Sequence, residues 1–400
     1  MDRKRITAGR NWKNLLILFG PAWLVMMADM DASSTIGAAE TGALLKYSLV
    51  WFLLLLAIPL YFIQETSGRI GIATEMGLGE IIRKNYSRRV SLLMTLPMAL
   101  TDVLTYAVEY AGAAVGFAVF GVSTYLSVPI IFIVHLLIVI GRKYEQAERV
   151  LLVLSPLLFL GFALVLIESG IKPYPLFYFS LSSSYLFLVA ANVGAVVMPF
   201  MLFFQASATA IKFSVRKTSI PKSLAVNRVR IETAVGAIAT ELLMVMVEMS
   251  MAGADPSTNF LSPRSLSSAL SSVAGSFSPI FFSIGLISAA FLALVVISLG
   301  SAWGVVEALG VKKDKTYLVY LLESVPAALI VSLIPVGSLA QAILNLLVFL
   351  VFALIGPGIV QGLISSNPKV MGELKNNKAY SLAYWLSLGF VLLFGILAVL

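Results

Sequence analysis

The chain contains no cysteine, a single histidine (His135), and few charges: 12% of its 400 residues are Asp, Glu, Lys or Arg. Without cysteine there can be no disulfide, thiolate metal site or iron–sulfur cluster, and no clue to redox compartment. A lone histidine leaves the many serines without a general base in any workable register, so no nucleophilic constellation exists. His135 itself sits midway along an apolar run, where it reads better as an interhelical hydrogen-bonding group than as a ligand. No glycine-rich phosphate loop occurs, and no polar stretch is long enough to fold alone. These absences argue against an enzyme and against a bound cofactor.

What is present is hydrophobic. Apolar residues make up 59% of the chain and mean hydropathy is +0.96. A soluble domain carries roughly 25% charged residues, so this is an all-α polytopic membrane protein whose surroundings are a lipid bilayer. The net charge of +8 then reflects the positive-inside rule and is no sign of nucleic acid. The opening Met1-Asp-Arg-Lys-Arg is too charged, and its following hydrophobic segment too long, for a cleaved leader; it reads as a cytoplasmic tail.

Segments of spanning length fall at about 14–36, 47–68, 90–120, 124–141, 149–168, 184–211, 232–252, 277–301, 316–336, 339–364 and 380–400. The loops test that count. With the N-terminus inside, all Lys and Arg except Lys46, Lys172 and Arg264 fall on the inner side, including the clusters around Arg83–Arg89, Lys212–Arg230 and Lys312–Lys315. One helix more or fewer would scramble this alternation. The expected arrangement is an integral protein of the cytoplasmic membrane, N-terminus inside and C-terminus outside. The stretch Gly77-Leu-Gly79-Glu-Ile-Ile-Arg-Lys-Asn85 has the pattern of an amphipathic helix on the inner surface. The inner Lys212–Ile231 and the outer Ile171–Ser184 and Ala254–Ser276 read as loops.

Two segments are interrupted. The first, Leu24-Val-Met-Met-Ala-Asp29-Met-Asp31-Ala-Ser33-Ser34-Thr-Ile-Gly37, places two carboxylates and two serines where a midplane should be. Intramembrane carboxylates are costly and mark a functional site by default; small hydroxylic residues behind them suggest a broken helix with exposed carbonyls. The sixth, Ala190-Ala-Asn192-Val-Gly194-Ala195-Val-Val-Met198-Pro199-Phe200, carries a proline that frees carbonyls near Gly194 and Ala195. Broken helices five segments apart point to a midplane site between two repeats, inverted because five is odd. The expected division is a single transmembrane domain over 1–400: a first repeat at about 14–168, a second at about 184–364, and an extra helix at 380–400.

The constellation is then Asp31 (a hard anionic oxygen), Ser34 (a hydroxyl or carbonyl one turn on), Ala195 (a freed carbonyl) and Met198 (a thioether). Oxygen donors with one soft sulfur suit a borderline divalent transition ion better than Mg²⁺ or Ca²⁺.

These residues also carry a family resemblance. Gly20-Pro21-Ala22, the run to Gly42, Gln64-Glu65-Thr-Ser67-Gly-Arg69-Ile-Gly71, Glu109-Tyr-Ala-Gly112-Ala-Ala-Val-Gly116 and Met198-Pro199 resemble the Nramp family of divalent metal transporters, through the first six helices in order. The resemblance implies a LeuT-type fold of two inverted five-helix repeats plus an eleventh helix. It also implies that Asp31, Ser34, the Ala195 carbonyl and Met198 take the places of the family's metal ligands. The first-helix signature Asp-Pro-Gly-Asn stands here as Asp31-Ala32-Ser33-Ser34, and Met-Pro-His as Met198-Pro199-Phe200. Asp29 and the run Phe200 to Ser207 are more similar to a divergent Nramp-related branch that includes Mg²⁺ transporters, which generally lacks the sixth-helix Met.

The family's acidic pair on the third helix stands here as Tyr106 and Glu109. With Asp102 they lie on one helical face, either as a residual proton relay or as packing anchors. Asp29, Gln205, Gln341 and Asn345 complete the candidates for a surrounding shell or proton path, the last two by similarity to polar residues of the family's tenth helix. The expected activity is import of a divalent ion, Mn²⁺ or Fe²⁺ first, by alternating access, with or without protons and without an obligate protein partner. The alternatives are an Nramp-related Mg²⁺ transporter without proton coupling and an amino-acid or amine transporter of the same fold.

Overall fold

A proline that follows an extended residue readily starts a helix, because its missing N–H is an orphan at that position anyway. Pro21, Pro199 and Pro263 do so here, and two of them set the architecture. The computed structural model describes residues 20–140, 144–214 and 220–397. The basic tail with Arg3, Lys4, Arg5, Arg10 and Lys13, the start of the first segment, Arg142, Lys143, Arg216, Lys217 and the last three residues of the eleventh segment lie outside the described residues.

The first segment is two helices, α1 (Pro21–Asp29) and α2 (Ala32–Leu45), with Met30 and Asp31 between them. The chain continues through α3 (Val50–Thr74), the short α4 (Leu78–Asn85), α5 (Arg88–Val119), α6 (Thr124–Val139) and α7 (Tyr144–Ser169). The sixth segment is again two helices, α8 (Ser183–Val196) and α9 (Pro199–Lys212). Then come α10 (Lys222–Met251), the short α11 (Pro263–Ala274), α12 (Ser278–Leu309), α13 (Thr316–Leu333), α14 (Ala340–Ser366), the one-turn α15 (Pro368–Met371) and α16 (Lys378–Leu397). Among the described residues nine helices are long and apolar enough to span a membrane, counting α8–α9 as one. With α6 and the α1–α2 pair they account for every segment expected from hydropathy.

Several expectations need correction. The first segment runs on to Leu45, because small residues from Ala32 to Ala43 allow tight packing against α10 beyond the apolar run. The seventh begins at Lys222, not near residue 232. Its basic first turns are helical because Ala225, Val226 and Val229 pack on Ala22, Ile72 and Phe213, while Arg228 and Lys222 stay toward water. The outer Ala254–Ser276 stretch is no plain loop: it contains α11, whose Ser262 side chain accepts from Ser265 N–H at 3.4 Å. And the apolar face of α4 is turned into the bundle and not toward lipid. Leu78, Ile81 and Ile82 are fully buried, and the helix packs against α12 and α5.

The short helices reveal the repeat. α4 sits between the second and third spans of the first five, and α11 between the second and third spans of the next five. The broken helix opens each set. α1 packs against α9, and α2 against α8, so the two breaks meet side by side. Around them α12 packs against α5 and α7, α10 along α1, α2 and α3, and α14 against α8.

Candidate metal site

The break in the first segment is held by capping. Asp31 is the N-cap of α2: its Oδ1 accepts from Ser34 N–H and from the Ser33 hydroxyl, both at 2.7 Å. Such a cap satisfies orphan donors of the first turn. A second N–H of that turn, on Ala32, donates to Glu109 Oε2 of α5 at 2.9 Å. α5 comes this close because Gly112 faces Ala32; a Cβ on Gly112 would stand 2.4 Å from the Ala32 Cβ. Two carboxylates from different helices therefore cap one helix start.

The second break lacks such a cap. α8 ends at Val196, Val197 and Met198 are extended, and Pro199 starts α9. The proline thus separates two helices, the interruption expected from the sequence. The last carbonyls of α8, Ala195 among them, have no helical N–H ahead of them. Met198 and Met201 cap one another weakly, with Met198 N–H donating to the Met201 sulfur at 3.4 Å. α8 also approaches α14 closely: a Cβ on Gly194 would fall 1.8 Å from Leu347 O.

What remains uncapped is a set of oxygens. Asp31 Oδ2, Ser34 Oγ and Glu109 Oε1 are buried with no hydrogen-bond partner. Asp31, Ser34, Ala195 and Met198 are all at most 1% exposed, so the region is closed toward both ends of the bundle. No group of three or more His, Cys, Asp or Glu that could hold a metal occurs among the described residues. A cation held here must therefore draw on hydroxyl, carbonyl or thioether donors besides Asp31.

Of the surrounding residues, Glu109 reaches the break by a direct hydrogen bond. Asp102 and Tyr106, on the same helix, face α12 and α13. Tyr106 donates to Ser298 Oγ at 2.7 Å, His135 joins Ser298 (2.7 Å) to Tyr110 (2.8 Å), and Ser301 donates to Glu323 at 2.7 Å. Asp102 shares this pocket with Glu323, and neither of its oxygens has a partner. His135 is thus the interhelical hydrogen-bonding group expected. Asp29 ends α1 with Oδ1 unpartnered. Gln205 lies on α9 against Gly68 of α3, both amide atoms unpartnered.

Gln341 and Asn345 do not belong to the site. They are exposed near the start of α14 and bond each other at 3.2 Å. The buried amide of α14 is Gln361, which accepts from Ser67 at 2.6 Å and donates to Ile63 O at 2.8 Å. Fifteen residues of apolar helix lie between Asn345 and Gln361, and hydropathy alone does not choose between them. Gln64, whose amide is buried and unpartnered, and Glu241, taken up below, are also polar groups that sequence reasoning left without a role. Their signal was the cost of burying them.

Both ends are latched. Where lysines and arginines concentrate, Glu65 of α3 receives Arg69 and Arg230 of α10, each through Nε at 2.9 Å, and Arg69 reaches Leu374 O at 2.7 Å and Asn376 Oδ1 at 2.5 Å. Glu232 of α10 accepts from Trp23 N–H at the start of α1 (3.2 Å), and Lys212 beside it pairs with Glu148 at 2.9 Å. At the other end Asn192 of α8 donates to Thr41 of α2 at 2.9 Å, and Lys172 Nζ binds Ala252 O at 2.7 Å.

Comparison with known proteins places this geometry. A family model described as natural resistance-associated macrophage protein-like matches residues 22–400. The divalent metal cation transporter MntH of Pediococcus pentosaceus is 28% identical over 206 residues, covering 49% of this chain and 46% of the relative. That of Chromohalobacter salexigens is 27% identical over 228 residues, covering 52% and 50%. The chain thus spans about half the length of the relatives it matches. Among solved structures, a manganese transporter of Eremococcus coleocola superposes with a TM-score of 0.79 at 18% identity, over 96% of this chain and 86% of that one. Mhp1, a nucleobase-cation-symport-1 family transporter, gives 0.55 at 12% identity over 96% and 91%. The fold is the LeuT-type inverted repeat.

Proposed function

The chain belongs to the Nramp family, and from that premise we propose that it carries a divalent metal ion across the membrane, with the ion held where the two broken helices meet. The observation that carries this reading is the trio of buried, unpartnered oxygens, Asp31 Oδ2, Ser34 Oγ and Glu109 Oε1, around one helix break. A charged residue at a helix centre costs roughly 2.5–3.5 kcal/mol on insertion scales. A cation bound at this point offsets that cost and takes up the Asp31 oxygen that the cap leaves free. In this reading Asp31 supplies charge, Ser34 a neutral oxygen, Ala195 its carbonyl and Met198 its sulfur. A thioether is a weak acceptor, so metal readily displaces the contact Met198 makes in the mutual cap.

The ends of the bundle give the reading its mechanism. The two latches close the site from opposite sides, and alternate release of each would expose the ion to one face at a time, with the two five-helix repeats as the moving bodies. The basic end is assigned to the cytoplasm by the positive-inside rule, with the N-terminus inside and the C-terminus outside. Because that membrane holds its anionic site within the bilayer, the transported species is a cation; an amino-acid carboxylate would meet Asp31 as a like charge. The relatives are transporters by name, and we read this chain as a transporter and not an enzyme. Protons, where they accompany the metal, would use α5: Glu109 at the break, and the Asp102–Glu323 pair beside Tyr106.

Mn²⁺ is favoured by the sulfur, whereas Mg²⁺ is favoured by Ser34 and the surplus of carboxylates. In proteoliposomes, Asp31→Asn is expected to abolish Mn²⁺ uptake; uptake at the wild-type rate would end the proposal. Met198→Ala is expected to lower the ratio of Mn²⁺ to Mg²⁺ uptake several-fold, and an unchanged ratio removes the thioether from the site. A pH-sensitive dye inside the same vesicles reads proton movement, expected to vanish in Glu109→Gln.

A further inference from the structure

α10 runs beside the whole of the first broken helix, packing on α1 and α2, and brings three buried carboxylates to it. Two accept from backbone N–H groups, Glu248 through one oxygen only. Glu232, at the start of α1, accepts from Trp23 N–H at 3.2 Å, and Glu248, near the end of α2, accepts from Leu49 N–H at 3.1 Å. Glu241, between them, is fully buried, and neither of its oxygens has a partner. Asp29, which ends α1, is 2% exposed with Oδ1 unpartnered, and Glu241 and Asp31 are the charged groups close enough to act on it. The neighbouring Thr240 donates to Met26 O, and Gly236 lets the Met26 side chain lie against the α10 backbone. Glu241 is thereby fixed beside the last turn of α1. That turn presents a helix C-terminus, whose unpaired carbonyls favour positive charge.

Two carboxylates without donors cannot both remain charged and bare in such a place, since an unpaired buried charge costs several kcal/mol. Asp31 and Glu109 balance one divalent ion at the break by charge. Asp29 and Glu241 are a further pair, on the α10 side, and among the described residues no Lys or Arg acts on either. We propose that Asp29 and Glu241 form a second divalent-cation site, adjacent to the first, in which two carboxylates and the terminal carbonyls of α1 hold a partly hydrated ion. Hard divalent ions are commonly bound by one or two carboxylates while keeping several waters. Neighbouring sites of this kind let one ion weaken the hold on the next, so that binding does not become a trap. This inference rests on the reading that the chain carries divalent metal, but on different residues from those at the break.

The test is calorimetric titration of the purified full chain with Mn²⁺. Two bound ions are expected for the wild type, and one for Glu241→Gln and for Asp29→Asn, which keep volume and remove charge. In Asp31→Asn the remaining ion is expected to be the one that Glu241→Gln abolishes. A single ion in the wild type, or an unchanged count in Glu241→Gln, overturns the proposal and leaves the break site standing. Two ions persisting in Asp31→Asn would count against the break site and leave this one standing.

Discussion

At the residue scale, Asp31 does two things with two oxygens. Oδ1 caps α2, and Oδ2 is free for a ligand. The two roles separate by substitution. Asparagine caps about as well as aspartate, whereas alanine forfeits roughly 1 kcal/mol at such a position. Asp31→Asn is therefore expected to keep the melting temperature of the wild type while losing the Mn²⁺ ion at the break, and Asp31→Ala to lose both that ion and stability. Equal destabilisation by the two variants would show that charge, and not capping, holds the break together. Ser34 is the weak donor, a hydroxyl where the family's first-helix signature has an amide. Ser34→Asn is expected to tighten Mn²⁺ binding several-fold by calorimetry; weaker binding would place the Ser34 side chain outside the coordination sphere.

At the scale of the element, the breaks depend on glycines that let neighbours come close. Gly194→Ala would drive a methyl into Leu347 O, and overpacking of this kind costs about 1–3 kcal/mol or more. Gly389, which has nothing within 4 Å of a Cβ, is the matched control. A lowered melting temperature in Gly194→Ala but not Gly389→Ala is expected, and parity would show that α8 can shift away from α14 freely. Both breaks were legible in the sequence, because carboxylates or a proline inside an apolar run leave few other readings. So were the eleven segments and the positions of Asp31 and Met198 at the two breaks. The helical start of α10 was not, since Lys222 to Arg230 look like a loop until Ala22 and Phe213 cover their apolar side. Nor was α11, although its counterpart α4 was read: a serine-rich helix of 12 residues carries little hydropathic signal. Gln341 and Asn345 misled because helical spacing fixes a face and says nothing of depth along an apolar helix. Glu241 was visible as a buried charge, but only packing shows that it alone of the three α10 glutamates lacks a donor.

For the molecule as a whole, closure rests on polar latches at each end of a bundle that is otherwise apolar. Glu65 is fully buried and holds two guanidiniums, Arg69 and the partly exposed Arg230; removing Arg230 takes one of the two partners from a buried carboxylate, and the loss falls on the closed state. The absence of cysteine makes this directly measurable, because an introduced thiol has no background. With Ala22→Cys at the start of α1, Arg230→Ala is expected to speed labelling by a water-soluble maleimide, and an unchanged rate would mean that this latch does not gate the basic end. All of this presupposes that a metal ion sits where the two breaks meet. The most direct measurement is anomalous diffraction from crystals of the full chain grown with Mn²⁺. A manganese peak in contact with Asp31 and Met198 is the predicted result, and well-ordered crystals whose anomalous signal avoids the break would contradict the account.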